Sequence, residues 1–495
     1  MKKILSVLMI IIMATSAFTA CSGGETESGG SSEASESTGI AVSGTDENAD
    51  YDVAGSINVG VNITRNSDFE TLVETFKTLY KNVDVNVTTF ETSADDATEY
   101  LTYLSAASKP LPDILFDDAG SIPTYITNQW IRPLNEFIGN DPDFNDVPQN
   151  LKDHFTYNNR LYAMPQTLHF SAVILNKDLI DKLNLDTPDF DWNWDDFSSF
   201  LKKCTTNEYS GIEQIASAIN WISGSMSENL TTAGYNEATG KFELSGAFSD
   251  AVKYIMDIRS VHGVEAYSLR GDGGADSDYA RKFSALSDIS DPYAAFKGGY
   301  VASRMSGTWN YGAVESENLK FDWEYYPAPQ SIPGRLPMHV DYCWLTTSVT
   351  EENKAAAWQF LRFVTYSREG NIVRMTSYDE EHYNDMNQGF YIPCTVNGEV
   401  VEKFRELPNV TDAILYMYDN IDKSYFSDPE KTIAGFDFVY DTVLSTADDA
   451  INGKVDFNAK KSELEQKANK QITQYKEDFE KALSDFEAKY DSANT

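Results

Sequence analysis

Apolar residues along the chain follow two alternating rhythms, and their order outlines a fold. Ile57, Val59 and Val61 alternate with Asn58 and Gly60, a period of two that predicts a strand. Phe69, Leu72, Val73, Phe76, Leu79 and Tyr80 then recur at helical spacing, behind a Ser67-Asp68-Phe69-Glu70 capping box. Val83, Val85 and Val87 form the next alternating run, and Tyr100, Leu101, Leu104 and Ala107 the next helix face. After Pro110 and Pro112 comes a short apolar strand, Ile114-Leu115-Phe116. Strands alternating with helices predict an α/β domain with a mainly parallel sheet. The last helical stripe runs Leu464, Ala468, Ile472, Tyr475, Phe479, Leu483, Phe486 and Tyr490. It reads as a C-terminal helix packed on its own part of the molecule in preference to a coiled coil.

The N-terminus breaks both rhythms. Lys2 and Lys3 precede an apolar run from Ile4 to Met13, too short to span a bilayer, and small residues follow up to Cys21. Residues 1–20 therefore read as a signal peptide. Phe18-Thr19-Ala20-Cys21 resembles the lipobox of bacterial lipoproteins, which implies cleavage before Cys21 and lipid attachment to it. The segment 22–53 carries eight acidic residues and no Lys or Arg among Ser, Gly and Thr. It cannot bury enough apolar surface to order itself, and a coil of this length reaches roughly 30 Å. The expectation is a membrane-tethered protein on the extracytoplasmic face, with no spanning helix.

A formal charge of −38 argues against nucleic acid as a partner, which requires a basic surface. Cys204, Cys343 and Cys394 have no metal-type spacing; a Cys343–Cys394 disulfide and three reduced core cysteines both fit. Arg270 to Asp278 is similar to a calcium loop but lacks the spacing and closing Glu of one, so it reads as a surface loop, and no metal or cofactor is expected. No nucleophile elbow, zinc-protease motif or phosphate-cradling glycine loop occurs, and no motif fixes the carboxylate pair of a glycosidase. These absences favour a binding protein over an enzyme.

In open α/β sheets, ligands bind beyond the carboxyl ends of the strands. That places Arg65 and Asn66, Glu91, and Asp117 and Asp118 at the mouth of a crevice. Four ordered motifs sharpen the picture. LPDILFDDAGSIPTYITNQWIRPLNEF (Leu111 to Phe137), YNNRLYAMPQ with ILNKDLIDKLNL and DFDWNWDDF (Tyr157 to Leu201), AFKGGYVASRMSGTW (Ala295 to Trp309) and the Glu351 to Ser367 helix resemble the family 1 extracellular solute-binding proteins. Leu175 replaces the family's usual Tyr, and Asn193 replaces a Thr; Asn193 remains a good helix N-cap, with Asp196 three residues on.

The resemblance implies a periplasmic-binding-protein type II fold: two α/β lobes joined by a hinge of about three crossovers, with the ligand cleft between them. The crossings fall near Met164–Thr167, Met338–Trp344 and Asn387–Pro393. The N-lobe would combine 54–165 with 341–388, and the C-lobe 166–340 with 389–495. It also implies an ABC-importer component, monomeric, that captures a carbohydrate and delivers it to permease subunits. The alternatives are a ligand-sensing or glycan-retaining surface lipoprotein without a permease, or the same fold binding a non-sugar solute. Sugar recognition calls for aromatic faces against C–H patches and planar polar groups for hydroxyls. Trp309, in the family's Gly-x-Trp position and near Tyr311, is the leading stacking residue. Trp221, Trp344 and His169 join it as candidates.

Overall fold

The computed structural model describes residues 46, 49–62, 66–92, 97–117, 120–139, 141–229, 231–271, 276–286, 288–291, 293–377 and 391–494. The expected signal peptide, Cys21, most of the expected acidic tether, Arg65, Asp118 and the start of the expected third crossing at Asn387 lie outside these residues.

The first three strands stand where the apolar pattern puts them: β1 Gly55–Asn62, β2 Val83–Phe90 and β3 Ile114–Asp117, mutually parallel in the order β2-β1-β3. Helices α1 (Asn66–Leu79) and α2 (Thr98–Ala106) connect them. The rest of the sheet is mixed, unlike the mainly parallel sheet expected. It uses β4 (Met164–Asn176), β5 (Ser210–Ile212), β6 (Val301–Gly307), β7 (Trp323–Pro327), β8 (Pro337–Leu345) and the two-residue β9 (Tyr425–Phe426). These continue the order as β3-β8-β4-β6-β5, with β7 on β4 and β9 on β8. β8 is antiparallel to both β3 and β4, because the chain leaves along β4 and returns along β8.

β4 is the long element that joins the two halves. Its first half pairs with β8, and its second half lies between β6 and β7. One buried apolar cluster centres on β1, β3, β8 and the helices α1 and α6 (Lys354–Val364), the latter followed by α7 (Arg368–Ser377). A second cluster gathers Val173 and Leu175 of β4 with residues around α3 (Trp194–Cys204), α4 (Ile219–Met226), α5 (Ala247–Ser260) and α8 (Phe436–Ile451). Asn193 caps α3 as expected: its side chain accepts from Asp195 N and Asp196 N, and Asp196 accepts from Asn193 N. The three core cysteines are buried and free.

Two findings depart from the sequence reading. First, the acidic tether docks before it reaches β1. Asp46 is buried against Arg362 Nη1 at 2.6 Å, and Tyr51 donates its hydroxyl to Glu369 at 2.8 Å. The composition gives no hint of this, because the partner lies over 300 residues away. Second, the C-terminal helix α9 (Phe457–Asn494) does not stay with one half. Leu464, Ala468 and Ile472 are buried in the second cluster, whereas Leu483 and Phe486 are buried in the first.

Candidate functional site

The two long antiparallel strands bring histidines together that the sequence keeps 170 positions apart. His169 of β4 stands opposite His339 of β8, and Thr167 opposite Asp341. Directly opposed residues project on one face of a sheet, so these four form a polar floor. Val340 and Tyr342 project on the other face.

Each imidazole is backed by a buried carboxylate. Nε2 of His169 donates to Asp341 Oδ2 at 3.1 Å. Nδ1 of His339 lies 3.5 Å from Asp428 Oδ2, while its Nε2 sits between the hydroxyls of Ser171 (3.0 Å) and Ser427 (2.7 Å). Lys431 pairs with Asp428 at 2.9 Å and donates to Val340 O at 3.0 Å. Burial works against the Asp428 charge, but Lys431, His339 and His154 together hold its carboxyl well below the usual range. The floor is thus a hydrogen-bonded network in which Lys431 pairs with Asp428 and both imidazoles face carboxylates.

Above this floor stands Trp309. Its ring is edge-on to His339 (centroids 4.7 Å, 77°), to His169 (6.2 Å, 85°) and to Trp221 of α4 (6.4 Å, 82°). Both tryptophans are only partly buried, so they offer aromatic face as well as packing. The local sequence explains the pose. A Cβ on Gly307 would lie 2.1 Å from the Trp309 ring, so only glycine admits the indole here. Thr308 accepts Phe170 N–H at 3.1 Å, and Tyr325 donates to Gly307 O at 2.9 Å, which tethers the turn to β4 and β7. Trp221 is held in turn by Tyr425, whose hydroxyl donates to Trp221 O at 2.8 Å.

The other candidates divide. Tyr311 joins a cluster of tilted aromatic rings with Trp323 and Tyr325, and burial pushes its hydroxyl up to about 12. Glu91 is exposed just past the end of β2. Asp117 ends β3, opposite Tyr342, and Asn66 begins α1; the side chains of both lie outside the described residues, as do Arg65 and Asp118 altogether. Trp344 does not belong to the site. It is fully buried, paired with Leu115 of β3 and stacked on Tyr125 at 4.8 Å. Its place at a strand crossing suggested a cleft position, but β3 and the Tyr125 ring enclose it.

Sequence reasoning missed His339, Ser427 and Asp428. The one available signal was the alternation of His339 with Asp341, which puts both on the face opposite Val340. The strand pairing that sets His339 beside His169 could not be read.

The site is thus a polar floor on the two long strands, with partly exposed aromatic rings packed against it. Residues 71–378 match the bacterial extracellular solute-binding protein family, and the chain belongs to that family. Such proteins act outside the cytoplasmic membrane, and no helix among the described residues is long and apolar enough to cross a bilayer. Solved structures with the same fold include an ABC substrate-binding protein from Listeria monocytogenes in complex with cycloalternan. It is 18% identical, with a TM-score of 0.64 over 85% of this chain and 99% of that one. Also similar are the sugar-binding protein MalE from Xanthomonas citri (14%, 0.64, 86% and 99%) and a cyclic alpha-maltosyl-1,6-maltose binding protein from Arthrobacter globiformis (15%, 0.62, 85% and 99%). No curated protein sequence matches the chain.

Proposed function

We propose that this chain captures a carbohydrate outside the cell and hands it to the permease of an ABC importer, held at the membrane by lipid on Cys21. The observation that carries the reading is the Trp309–Trp221 corner above the His169–His339 floor. Partly open indole faces suit the C–H patches of a pyranose, and imidazole and serine hydroxyl groups suit its hydroxyls. The described cations of the floor are already paired, as Lys431 is with Asp428, which favours a neutral ligand over an anionic one. Arg65 and Asn66, Glu91, Asp117 and Asp118 would meet the ligand from the other side of the cleft. Closure would swing the halves about β4 and β8. The capture step needs no bond breaking, and neither a cofactor nor a metal has a role in it.

Calorimetry against a panel of neutral oligosaccharides tests the proposal. The protein should begin at about residue 40, so that Asp46 keeps its place on Arg362. Micromolar binding of at least one glycan is the expected result. Heat from an amino acid or a metal ion, with none from any glycan, would reverse the ligand class. A crude lipid-partition assay of wild type against Cys21→Ser tests the anchor separately.

A further inference from the structure

The C-terminal helix is a rod that touches both halves of a hinged molecule, and its two ends are attached by different chemistry. Its 38 residues span about 57 Å. Near its start, the Asn469 side chain accepts Phe242 N–H at 2.7 Å and donates to Phe242 O at 2.9 Å, while Glu465 accepts Leu244 N–H at 2.7 Å. Leu464, Ala468 and Ile472 are buried beside these bonds. That end is held by apolar burial and backbone hydrogen bonds, which salt does not weaken.

The far end also buries Leu483 and Phe486, but it adds a set of charged contacts that the first end lacks. Arg160 forms a fork with Asp491 (3.0 and 2.8 Å) and reaches Glu487 at 3.4 Å. Asn158 and Tyr162 also donate to Glu487, at 2.5 and 3.1 Å. Tyr490 meets Arg132 at 2.8 Å, and Lys489 meets Gln129 at 2.6 Å. Asp491 is more than half exposed, so this fork is weak and salt-sensitive.

The rod also runs behind the site. Tyr342 projects on the face away from His339, and Phe155 packs on it at 5.1 Å; two residues on, Tyr157 meets Phe479 of α9 at 5.5 Å. Beside Tyr157 lies a cavity of about 420 Å3 lined by Asp153, His154, Thr232 and Glu237, bordered by direct contacts of Tyr157 with Thr432 O (2.9 Å) and of His154 with Phe426. A stiff rod fixed to both halves resists any change in the angle between them. Hinge motion would load both ends, and the partly exposed Arg160–Asp491 fork is the part of the attachment that opens most readily.

We propose that α9 is a strap with a permanent end at Asn469 and a releasable latch at Arg160, Glu487 and Asp491, and that the latch sets the aperture of the ligand cleft. The proposal rests on the two-lobe hinge reading but not on the ligand being a sugar, and it is tested without ligand. Spin labels at Tyr103→Cys and Met256→Cys, both exposed positions on separate halves, report the lobe separation in the full-length chain carrying Cys21→Ser. The native cysteines are buried and should not react. The unmodified latch should give one dominant distance at low salt. Arg160→Gln with Asp491→Asn should shift the ratio of apertures roughly fivefold toward a second distance. About 1 M salt should move the intact latch the same way and the double variant much less. Tyr490→Phe, which keeps the ion pairs, should give a smaller shift of the same sign. A distance distribution unchanged by both variants and by salt overturns the proposal.

Discussion

Two buried polar clusters in this molecule are built from similar parts and put to opposite uses. Around Arg362, three carboxylates each take one edge of a single guanidinium: Asp46 at Nη1, Asp141 at Nε and Asp143 at Nη2, all at 2.6 Å. Tyr366 and the Arg368 N–H complete it by donating to Asp141 and Asp143. Burial raises the Asp143 carboxyl, and Arg362 opposes that rise. The cage turns its polar groups inward, and its product is tertiary order: it ties the tether to α6 and to the 141–143 turn. Around His339, carboxylates also back cations and imidazoles, but the network ends at partly open tryptophan rings. A buried charge cluster alone therefore marks no function. What separates the two is whether polar and aromatic groups remain directed at open space.

The comparison can be broken in graded steps. Arg362→Met leaves three carboxylates buried without a counter-charge and should cost about 3–5 kcal/mol in urea denaturation. Ligand affinity of the remaining folded protein should not change. Trp309→Ala should do the reverse, weakening ligand binding about 30-fold in calorimetry while altering stability by under about 1 kcal/mol. If it destabilises as strongly as the Arg362 change, Trp309 is core and the site reading fails. Gly307→Ala should displace the indole that occupies its Cβ position, for a loss of roughly tenfold in affinity and about 1–2 kcal/mol in stability.

The smallest effect concerns the back of the floor. His154 stacks on Phe426 at 3.5 Å, and burial lowers its imidazole to about 4 against an ordinary 6.5, with Asp428 partly opposing. The unfolded chain then binds this proton near 6.5, and the folded chain only near 4. Its contribution to stability is complete above pH 6.5 and is lost progressively as pH falls toward 4, by about 2 kcal/mol at pH 5. The stability difference between wild type and His154→Gln, followed by denaturation across that window, should show that slope. A flat difference would show that burial does not depress the His154 imidazole in the folded chain.

The legible parts of this chain were those governed by local pattern. Period-two alternation located β1 and β2, a short continuous apolar run located β3, and Asn193 with Asp196 announced the start of α3 through capping chemistry alone. Trp309 and Trp221 were named from motif and composition, and the fold brings their rings to 6.4 Å. Trp344 was misjudged because an exposed and an enclosed strand position look alike until the neighbouring strand is known. His339 was missed for the converse reason: its meaning comes from His169 across the β4–β8 register.

By itself, the sequence determined the first strands and helices, the resemblance to the solute-binding family and the acidic composition near the N-terminus, since periodicity, ordered motifs and composition are properties of short stretches. Only the tertiary structure decided which polar residues share a face, that Asp46 closes a cage on Arg362, and that the last helix belongs to both halves of the molecule. Those facts depend on contacts between residues hundreds of positions apart, and register and packing alone select them.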